Sequence, residues 1–417
     1  MGRKQLIAVA VSVVALLLLF FFAETSDPSI PDAEISGEVG HSDSHNHNEI
    51  QFSLDDYKSR VFADLDPFLI KEIQFWEDEM RSLDDSIRLS AIDSLIFIYS
   101  EQNIPVLRAK MFMKRAEMSA LFRDWSIAGD IFLQLLVIPD LPPDILRYFY
   151  SNAVFAYQEA LNIQPEDERT ELKLAKTYVS MDGMEVMNGV QLLLSMLERD
   201  SNNVDAYLLL AENGLRSGQF DKAEGRINSA MNCAEFEPGQ VYGIGEVGTI
   251  LAGINFDQGA VASSDSLLNH LYDFALEQRA LATSDSMVTA CDLLIIGVSR
   301  AYLDRTDQSV MNGIQILLAE VDSRPDNFSA QLELIRQGIR SQQFENAVSR
   351  LEIVVSLQTV NSESYLETAD LTLQLVDYFY SQANKEEALR LLELLKTISN
   401  DSEKATLDQA IVDIKNS

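Results

Sequence analysis

Apolar and polar positions follow the period of an α-helix over most of the chain. From residue 54 onward, large apolar side chains recur three or four positions apart, and short polar segments separate the apolar stretches. This spacing predicts a succession of amphipathic helices and therefore an all-α protein. The first residues predicted to face a core are Phe68, Ile73, Trp76, Met80, Ile87, Ala91, Leu95 and Ile98.

A long segment of this helical pattern occurs twice. Residues 186–226 and 310–350 align without a gap and share 18 of 41 residues, where unrelated sequences would share about three. A shorter period lies within each copy, because Gly189 and Ala223 are 34 residues apart and their counterparts have the same separation. A fixed period of roughly 20 to 50 residues is typical of a solenoid, in which each unit buries its apolar face against the next.

The repeated segments resemble the tetratricopeptide repeat family, whose unit is two antiparallel helices in about 34 residues. Gly218 to Ala223 is similar to the family's turn between the two helices, with an aromatic side chain at Phe220 and a small one at Ala223. Residues 341–347 form the same turn with its glycine replaced. The resemblance implies an all-α, tetratricopeptide-like solenoid of helical hairpins that winds as a right-handed superhelix.

Two further features define how far this resemblance extends. Residues 322–327 are similar to the family's loop between units and contain its proline, whereas residues 199–203 are similar but lack it. Gly214 and Gly338 stand where the family has an aromatic residue in the first helix. The repeats are therefore divergent.

The helical pattern also predicts the domain organisation after residue 53. Residues 54–165 form an N-terminal helical region with one tetratricopeptide-like unit, and residues 166–236 form the first pair of units. The pattern loosens over residues 237–286, which we expect to be an irregular helical connector. Residues 287–360 form the second, duplicated pair, and residues 361–417 form a last unit and a capping helix.

An apolar segment precedes the repeats. Residues 6–23 are long enough, at about 27 Å of helix, to cross the hydrocarbon core of a membrane. Basic side chains occur within residues 1–5 and then not again before residue 58, which places the amino terminus in the cytoplasm. A cleaved signal peptide has the same order of charges and apolar residues. Bulky Phe21 and Phe22, where a cleavage site has small side chains, favour an uncleaved anchor and a periplasmic or otherwise extracytoplasmic repeat domain.

Residues 24–53 are acidic and contain few large apolar side chains, so we expect a flexible, disordered linker. His41, His45 and His47 lie within it, and imidazoles bind zinc, copper and nickel. Their spacing matches no closed structural site, so a polar linker is the preferred interpretation. A metal-handling membrane protein remains the alternative.

Charge and cysteine content narrow the choice of partners. The chain has 65 acidic and 32 basic residues and a formal charge of −33. Because binding to nucleic acid requires clustered lysine and arginine, this charge predicts protein or peptide partners and no nucleic acid. Cys233 and Cys291 permit at most one disulfide, and we expect both to be ordinary buried small residues.

The sequence shows no set of residues that predicts catalysis or a cofactor. Gly243 to Gly248 fits G-x-G-x-x-G, but no strand pattern precedes it, so we interpret these glycines as sites of close helix packing. The repeat region contains one histidine, His270, and no recognisable partner for it. We therefore predict a protein without enzymatic activity. An enzyme with an unrecognised site in residues 237–284 is the second alternative.

The resemblance implies a function in protein–protein interaction. In tetratricopeptide repeats the first helix of each unit lines a concave groove. The predicted groove residues are Tyr178, Leu208, Glu212, Leu215, Arg216, Tyr302, Leu332, Arg336, Ile339 and Arg340. Arg216 and Arg340 occupy equivalent positions and suit a partner's carboxylate, unless they pair with acids of the array itself. The sequence thus predicts a membrane-anchored scaffold that binds other proteins.

Overall fold

A computed structural model describes residues 52–181, 183, 185–358 and 364–416. These residues contain nineteen α-helices and no strand, as the sequence predicts. The predicted anchor at 6–23, the linker up to residue 51, and His41, His45 and His47 lie outside the described residues. The helices α1 to α9 are Leu54–Ala63, Pro67–Glu79, Asp85–Glu101, Pro105–Ser119, Phe122–Leu135, Pro143–Ile163, Glu168–Ser180, Glu185–Arg199 and Val204–Arg216. The helices α10 to α19 are Phe220–Met231, Pro238–Asp257, Val261–Leu281, Asp285–Leu303, Val310–Ser323, Phe328–Arg340, Phe344–Leu357, Tyr365–Ser381, Lys385–Lys396 and Asp401–Asn416.

Local sequence determines where several helices begin. The side chains of Asn203 and Asn327 accept hydrogen bonds from backbone N–H groups three residues on, at 2.9 and 3.1 Å, and so cap α9 and α15. Helix α6 begins at Pro143, whose fixed φ and missing N–H suit the first turn. Asp144 therefore lies inside the first turn of this helix.

The two copies have the same fold. Helices α9 and α15 have identical bounds after an offset of 124 residues, α8 and α14 end at equivalent residues, and α10 and α16 begin at equivalent residues. The array consists of tetratricopeptide-like helical hairpins, and this confirms the predicted fold class.

The turn between the helices of each hairpin requires a left-handed backbone. Gly218 has a φ of 70°, and its counterpart Gln342 has a φ of 60°. A glycine adopts this conformation freely, whereas a residue with a side chain pays roughly 1–2 kcal/mol. The second copy retains the turn although its glycine is replaced.

Small residues allow the two helices of each hairpin to approach closely. A methyl group on Gly214 would lie 3.1 Å from Ala223 Cβ, and one on Gly338 would lie 3.0 Å from Ala347 Cβ. Ala223 and Ala347 are fully buried. There is no room for the aromatic side chain that the family carries at the position of these glycines.

Residues 237–286 are more regular than the sequence predicts. They contain two long helices, α11 and α12, of 20 and 21 residues. The glycines of the G-x-G-x-x-G pattern lie inside α11. A methyl group on Gly245 would lie 2.6 Å from Leu294 Cδ1, and one on Gly248 would lie 2.8 Å from Leu271 Cδ1. The interpretation of these glycines as sites of helix packing is confirmed, whereas an irregular connector is not observed.

Helix α13 lies in the middle of the array's core. Of the described helices, it is the one long and apolar enough to cross a membrane, and half of its apolar window is buried. Its buried side chains include Cys291, Leu294 and Tyr302. Packing against α11, α12 and α14 accounts for its composition.

The two ends of the described array differ. Helix α19 buries Leu407 and Ile411, and its exposed side is polar apart from Val412, which is 48% exposed. At the other end, Ile73, Ala91, Leu95 and Ile98 are buried as predicted. The exposed fractions of Phe68 and Ile87 are 77% and 41%, so the prediction that these two side chains face the core is wrong.

Candidate interaction surface

Helices α7, α9, α11, α13, α15 and α17 open successive hairpins, and each packs on the next. They therefore form one continuous layer. We call the exposed side of this layer the first-helix face. Its first half belongs to α7, α9 and α11 and its second half to α13, α15 and α17. The duplication allows α7 to be compared with α13, and α9 with α15, position by position.

On the second half of the first-helix face, the charged side chains form a network of ion pairs with one another. The Glu333 carboxylate is 3% exposed and accepts hydrogen bonds from Arg300 Nε at 2.9 Å and Arg336 Nη1 at 2.8 Å. Arg336 also forms an ion pair with Glu367 on α17. These contacts join α13, α15 and α17, and they occupy Arg336, which was predicted to contact a partner.

The surroundings of Glu333 keep it ionised. Burial alone would raise its pKa, but hydrogen bonds and charges from Arg300 and Arg336 hold the pKa below the usual value of a glutamate. This ion-pair chain therefore stabilises the array at neutral pH, and the stabilisation is lost as the pH falls through the lowered pKa.

The first half of the first-helix face lacks this network of ion pairs. Leu209 replaces Glu333, Glu212 replaces Arg336, and Lys176 replaces Arg300 at the equivalent positions. Glu212 is exposed, yet desolvation by the adjacent helices raises its pKa, and the nearby Glu246 on α11 raises it further, while Lys176 and Arg216 lower it.

Arg216 and Arg340 show how the two halves differ. Both are exposed and end their helices. Arg340 Nη1 lies 3.9 Å from the carboxylate of Asp304, whereas Ser180 occupies the position equivalent to Asp304 in the first copy. Arg216 forms no ion pair with any described residue. Its guanidinium is therefore available to a partner, and that of Arg340 is partly engaged.

The remaining predicted groove residues are less accessible. Leu208, Tyr302 and Leu332 are buried, so they stabilise the core and offer no surface to a partner. Leu215 and Ile339 are partly buried and pack against the core clusters of their own copies. Tyr178 is half-buried, and its hydroxyl accepts a hydrogen bond from Gln158 Nε2 at 2.8 Å.

Two apolar side chains on the first half were not predicted. Tyr242 and Ile250 are each 50% exposed, and with Glu246 they are spaced four residues apart along one side of α11. Helix α11 packs on α9, where a methyl group on Gly243 would lie 3.0 Å from Leu208 Cδ1. The sequence shows the four-residue spacing of Tyr242, Glu246 and Ile250, but an irregular connector is predicted there, so the sequence analysis does not assign these residues to one side of a helix. We call the following residues the first-copy patch: Lys176, Glu212, Arg216, Tyr242, Glu246 and Ile250.

The described residues contain no cluster of three or more histidine, cysteine, aspartate or glutamate side chains suited to a metal ion. Cys233 and Cys291 are both free and buried, and burial raises the pKa of each thiol. His270 is exposed. The metal-handling hypothesis depends on His41, His45 and His47 and stays a prediction.

Replacing Glu212 with glutamine is expected to alter the pH dependence of stability. Because its pKa is raised, the native protein binds a proton on Glu212 at a pH where the unfolded chain does not, so Glu212 lowers stability as the pH rises through the raised pKa. Glu212→Gln should therefore unfold at a higher urea concentration than the parent at about pH 8 and at an equal one below about pH 4. Parallel midpoints across this range would contradict the assignment.

Comparison with known proteins adds little beyond the geometry. No protein-family model and no curated protein matches the chain. A solved structure of Naa15/Naa10 bound to HypK-THB aligns with 86% of this chain and 66% of that chain, slightly under two thirds of its length, at 12% identity and a TM-score of 0.29. The human IFIT1 dimer with m7Gppp-AAAA aligns over 87% of this chain and 88% of that chain, at 12% identity and a TM-score of 0.37. Likeness at this level carries no argument about partners, and the fold assignment rests on the helices themselves.

Proposed function

We propose that this protein is a membrane-anchored scaffold that binds a protein or peptide segment through the first-copy patch and has no catalytic activity of its own. Residues 6–23 anchor it, and the repeats lie outside the cytoplasm, which in a Gram-negative bacterium means the periplasm. The anchor raises the local concentration of bound partners at the membrane.

The observation that supports this proposal most directly is the unpaired Arg216. Arg216 is exposed and forms no ion pair with a described residue, although the chain has a formal charge of −33 and the charge of Arg216 acts on the nearby Glu212. The counterpart of Arg216 in the second copy, Arg340, lies near Asp304. In the first copy, Glu212 stands at the position equivalent to Arg336. The arginines of the second half therefore pair with acids of the protein itself, whereas Arg216 in the first half forms no such ion pair with a described residue. A guanidinium binds a carboxylate through two parallel hydrogen bonds.

The first-copy patch suits a short segment that presents a carboxylate beside apolar side chains. Arg216 and Lys176 supply positive charge beside the acids Glu212 and Glu246, and Tyr242 and Ile250 supply apolar surface. Aromatic and arginine side chains contribute most of the binding energy in many protein interfaces. The negative charge of the whole chain favours such a protein partner over a nucleic acid.

Photo-crosslinking in native membranes tests the proposal. With benzoylphenylalanine in place of Tyr242 in the full chain, we expect a covalent adduct to a partner protein. Adding Arg216→Glu should reduce the adduct at least tenfold, which corresponds to about 1.4 kcal/mol of binding free energy.

Two matched variants serve as controls. Arg340→Glu changes the same residue type at the equivalent position and should leave the adduct at Tyr242 intact. Benzoylphenylalanine in place of Met311, which is 54% exposed on α14, should give no adduct with the same partner. An adduct that survives Arg216→Glu would show that the first-copy patch is not the binding site.

A further inference from the structure

A groove lies between α2 and α3, in the first hairpin of the described array. Its volume is about 810 Å³. The side chains that line it are Glu72, Trp76, Ser86, Leu89, Ser90, Asp93, Ser94, Phe97 and Ile98. The groove is separate from the first-copy patch, so an inference from it does not depend on the proposed function.

Aromatic side chains around the groove are exposed to an unusual degree. The exposed fraction of Phe97 is 66%, that of Phe75 is 55% and that of Phe68 is 77%. Phe68, Glu72 and Phe75 share one side of α2 by their spacing. Exposed apolar clusters rimmed by polar residues mark interaction sites on soluble domains.

The position of the hairpin explains why such a surface is suited to docking. In an array of helical hairpins, the apolar side of each unit is covered by the next unit, and a terminal unit needs a polar outer side to remain soluble. Helix α19 meets this need at the other end, because Leu407 and Ile411 are its buried residues. The α2–α3 hairpin, which only α1 precedes among the described helices, instead has the large aromatic side chains of Phe68, Phe75 and Phe97 uncovered by the described residues.

Charge indicates what covers this surface. Residues 67–101 contain eight carboxylates and three basic side chains. Glu72 lines the groove without an ion pair to any described residue, and Asp93 lines it while Arg115 Nη1 contacts its carboxylate at 2.6 Å. Three serine hydroxyls add further hydrogen-bond acceptors. A second copy of this chain is a poor occupant, because each copy has a formal charge of −33 and the two would repel.

We propose that the α2–α3 groove binds an amphipathic helix of a partner protein, one whose large apolar side chains are flanked by lysine or arginine. The apolar side of such a helix covers Trp76, Leu89 and Phe97, and its basic side chains reach Glu72 and Asp93. This is the helix-in-groove mode of recognition, in which apolar anchors give affinity and flanking charges give orientation.

Calorimetry with two synthetic peptides tests this proposal. One is a helical peptide of leucine and lysine with leucines at helical spacing, and the other replaces each lysine with glutamate. The full chain in nonionic detergent micelles should bind the leucine–lysine peptide, after subtraction of a titration into protein-free micelles, and should not bind the leucine–glutamate peptide. Phe97→Ser should weaken binding at least tenfold. Leu281→Ser removes an apolar side chain that is 74% exposed on α12 and should leave binding unchanged.

Several outcomes would overturn the proposal. These are no binding of the leucine–lysine peptide, equal binding of both peptides, and an unchanged affinity in Phe97→Ser. Benzoylphenylalanine in place of Phe97 provides a second measurement, which should give an adduct with the leucine–lysine peptide. An adduct with a second copy, or with residues 6–23 of the same chain, would assign the groove to that occupant instead.

Discussion

Replacing Gly313 with alanine is expected to lower the free energy of unfolding by about 2 kcal/mol. Overpacking costs roughly 1–3 kcal/mol, and alanine recovers about 1 kcal/mol of helix propensity. The cost should lie near the top of its range, because the added methyl group would lie 2.6 Å from the backbone carbonyl oxygen of Ser299 and 2.8 Å from Leu303 Cγ. A backbone atom inside helix α13 cannot move aside as the end of a side chain can. The urea midpoint measures the change.

Gly253 provides the matched control. It also lies inside a helix, α11, but no atom outside its own helix neighbourhood lies within 4 Å of an added methyl group. Gly253→Ala should therefore raise the free energy of unfolding by up to about 1 kcal/mol, the difference in helix propensity. If both substitutions shift the midpoint in the same direction, the close approach of α13 and α14 at Gly313 is wrong.

The fold follows from the sequence where a local pattern repeats. Gly214 with Ala223 and Gly338 with Ala347 have the same spacing, and each pair sits where two helices meet. Both copies need a small residue where the two helices of the hairpin meet, for the same steric reason. Finding the same small residues twice in the sequence therefore makes the prediction of a close helix contact stronger. The same logic applies to Asn203 and Asn327, which cap equivalent helices.

Residues 237–286 show where this reasoning fails. Helix α11 has a buried apolar side but also carries Tyr242 and Ile250 on its exposed side, so its apolar residues do not form the one-sided stripe on which sequence patterns depend. The four-residue spacing of Tyr242, Glu246 and Ile250 is present, but it mixes apolar and acidic side chains and so does not separate an apolar side of α11 from a polar one. The apolar positions do predict a helix over residues 264–279, within α12, but they do not predict the regular helix α11.

The sequence alone also does not show which arginines form ion pairs with acids of the array. Arg216 and Arg340 occupy equivalent positions, so the sequence allows both the same two possibilities, a partner's carboxylate or an acid of the array itself. Their difference comes from residues 36 positions earlier in the chain, where Asp304 stands in one copy and Ser180 in the other. With 65 acids in the chain, closeness in sequence does not identify the carboxylate that lies within reach of a given arginine.

The second large effect is expected at Arg279, which connects helix α12 to two helices of the second pair of units, α13 and α14. Its Nη1 lies 2.7 Å from Glu320 Oε1 and 3.0 Å from Asp292 Oδ1. The side chains of Glu320 and Asp292 are 2% and 14% exposed. Arg324 contacts Asp292 from the other side at 2.6 Å. The network thus connects α12, α13 and the end of α14.

Arg279→Met is expected to lower the free energy of unfolding by about 3 kcal/mol, because removing one partner leaves a buried charge without compensation. Asp292 would keep Arg324, but Glu320 would keep only the hydrogen bond from Asn327 Nδ2 at 2.9 Å. The urea midpoint of the full chain measures the loss.

The first copy suggests the compensating change. Met196 occupies the position equivalent to Glu320, so a methionine fits this site of the hairpin. Arg279→Met combined with Glu320→Met removes both charges, and it should recover most of the stability lost in the single variant, since a buried ion pair and an apolar pair of similar volume are often equally stable. The difference between the double variant and the two single variants gives the coupling energy. Losses that simply add would show that Arg279 and Glu320 act independently, and the contact between them would then contribute nothing to the stability of the second copy.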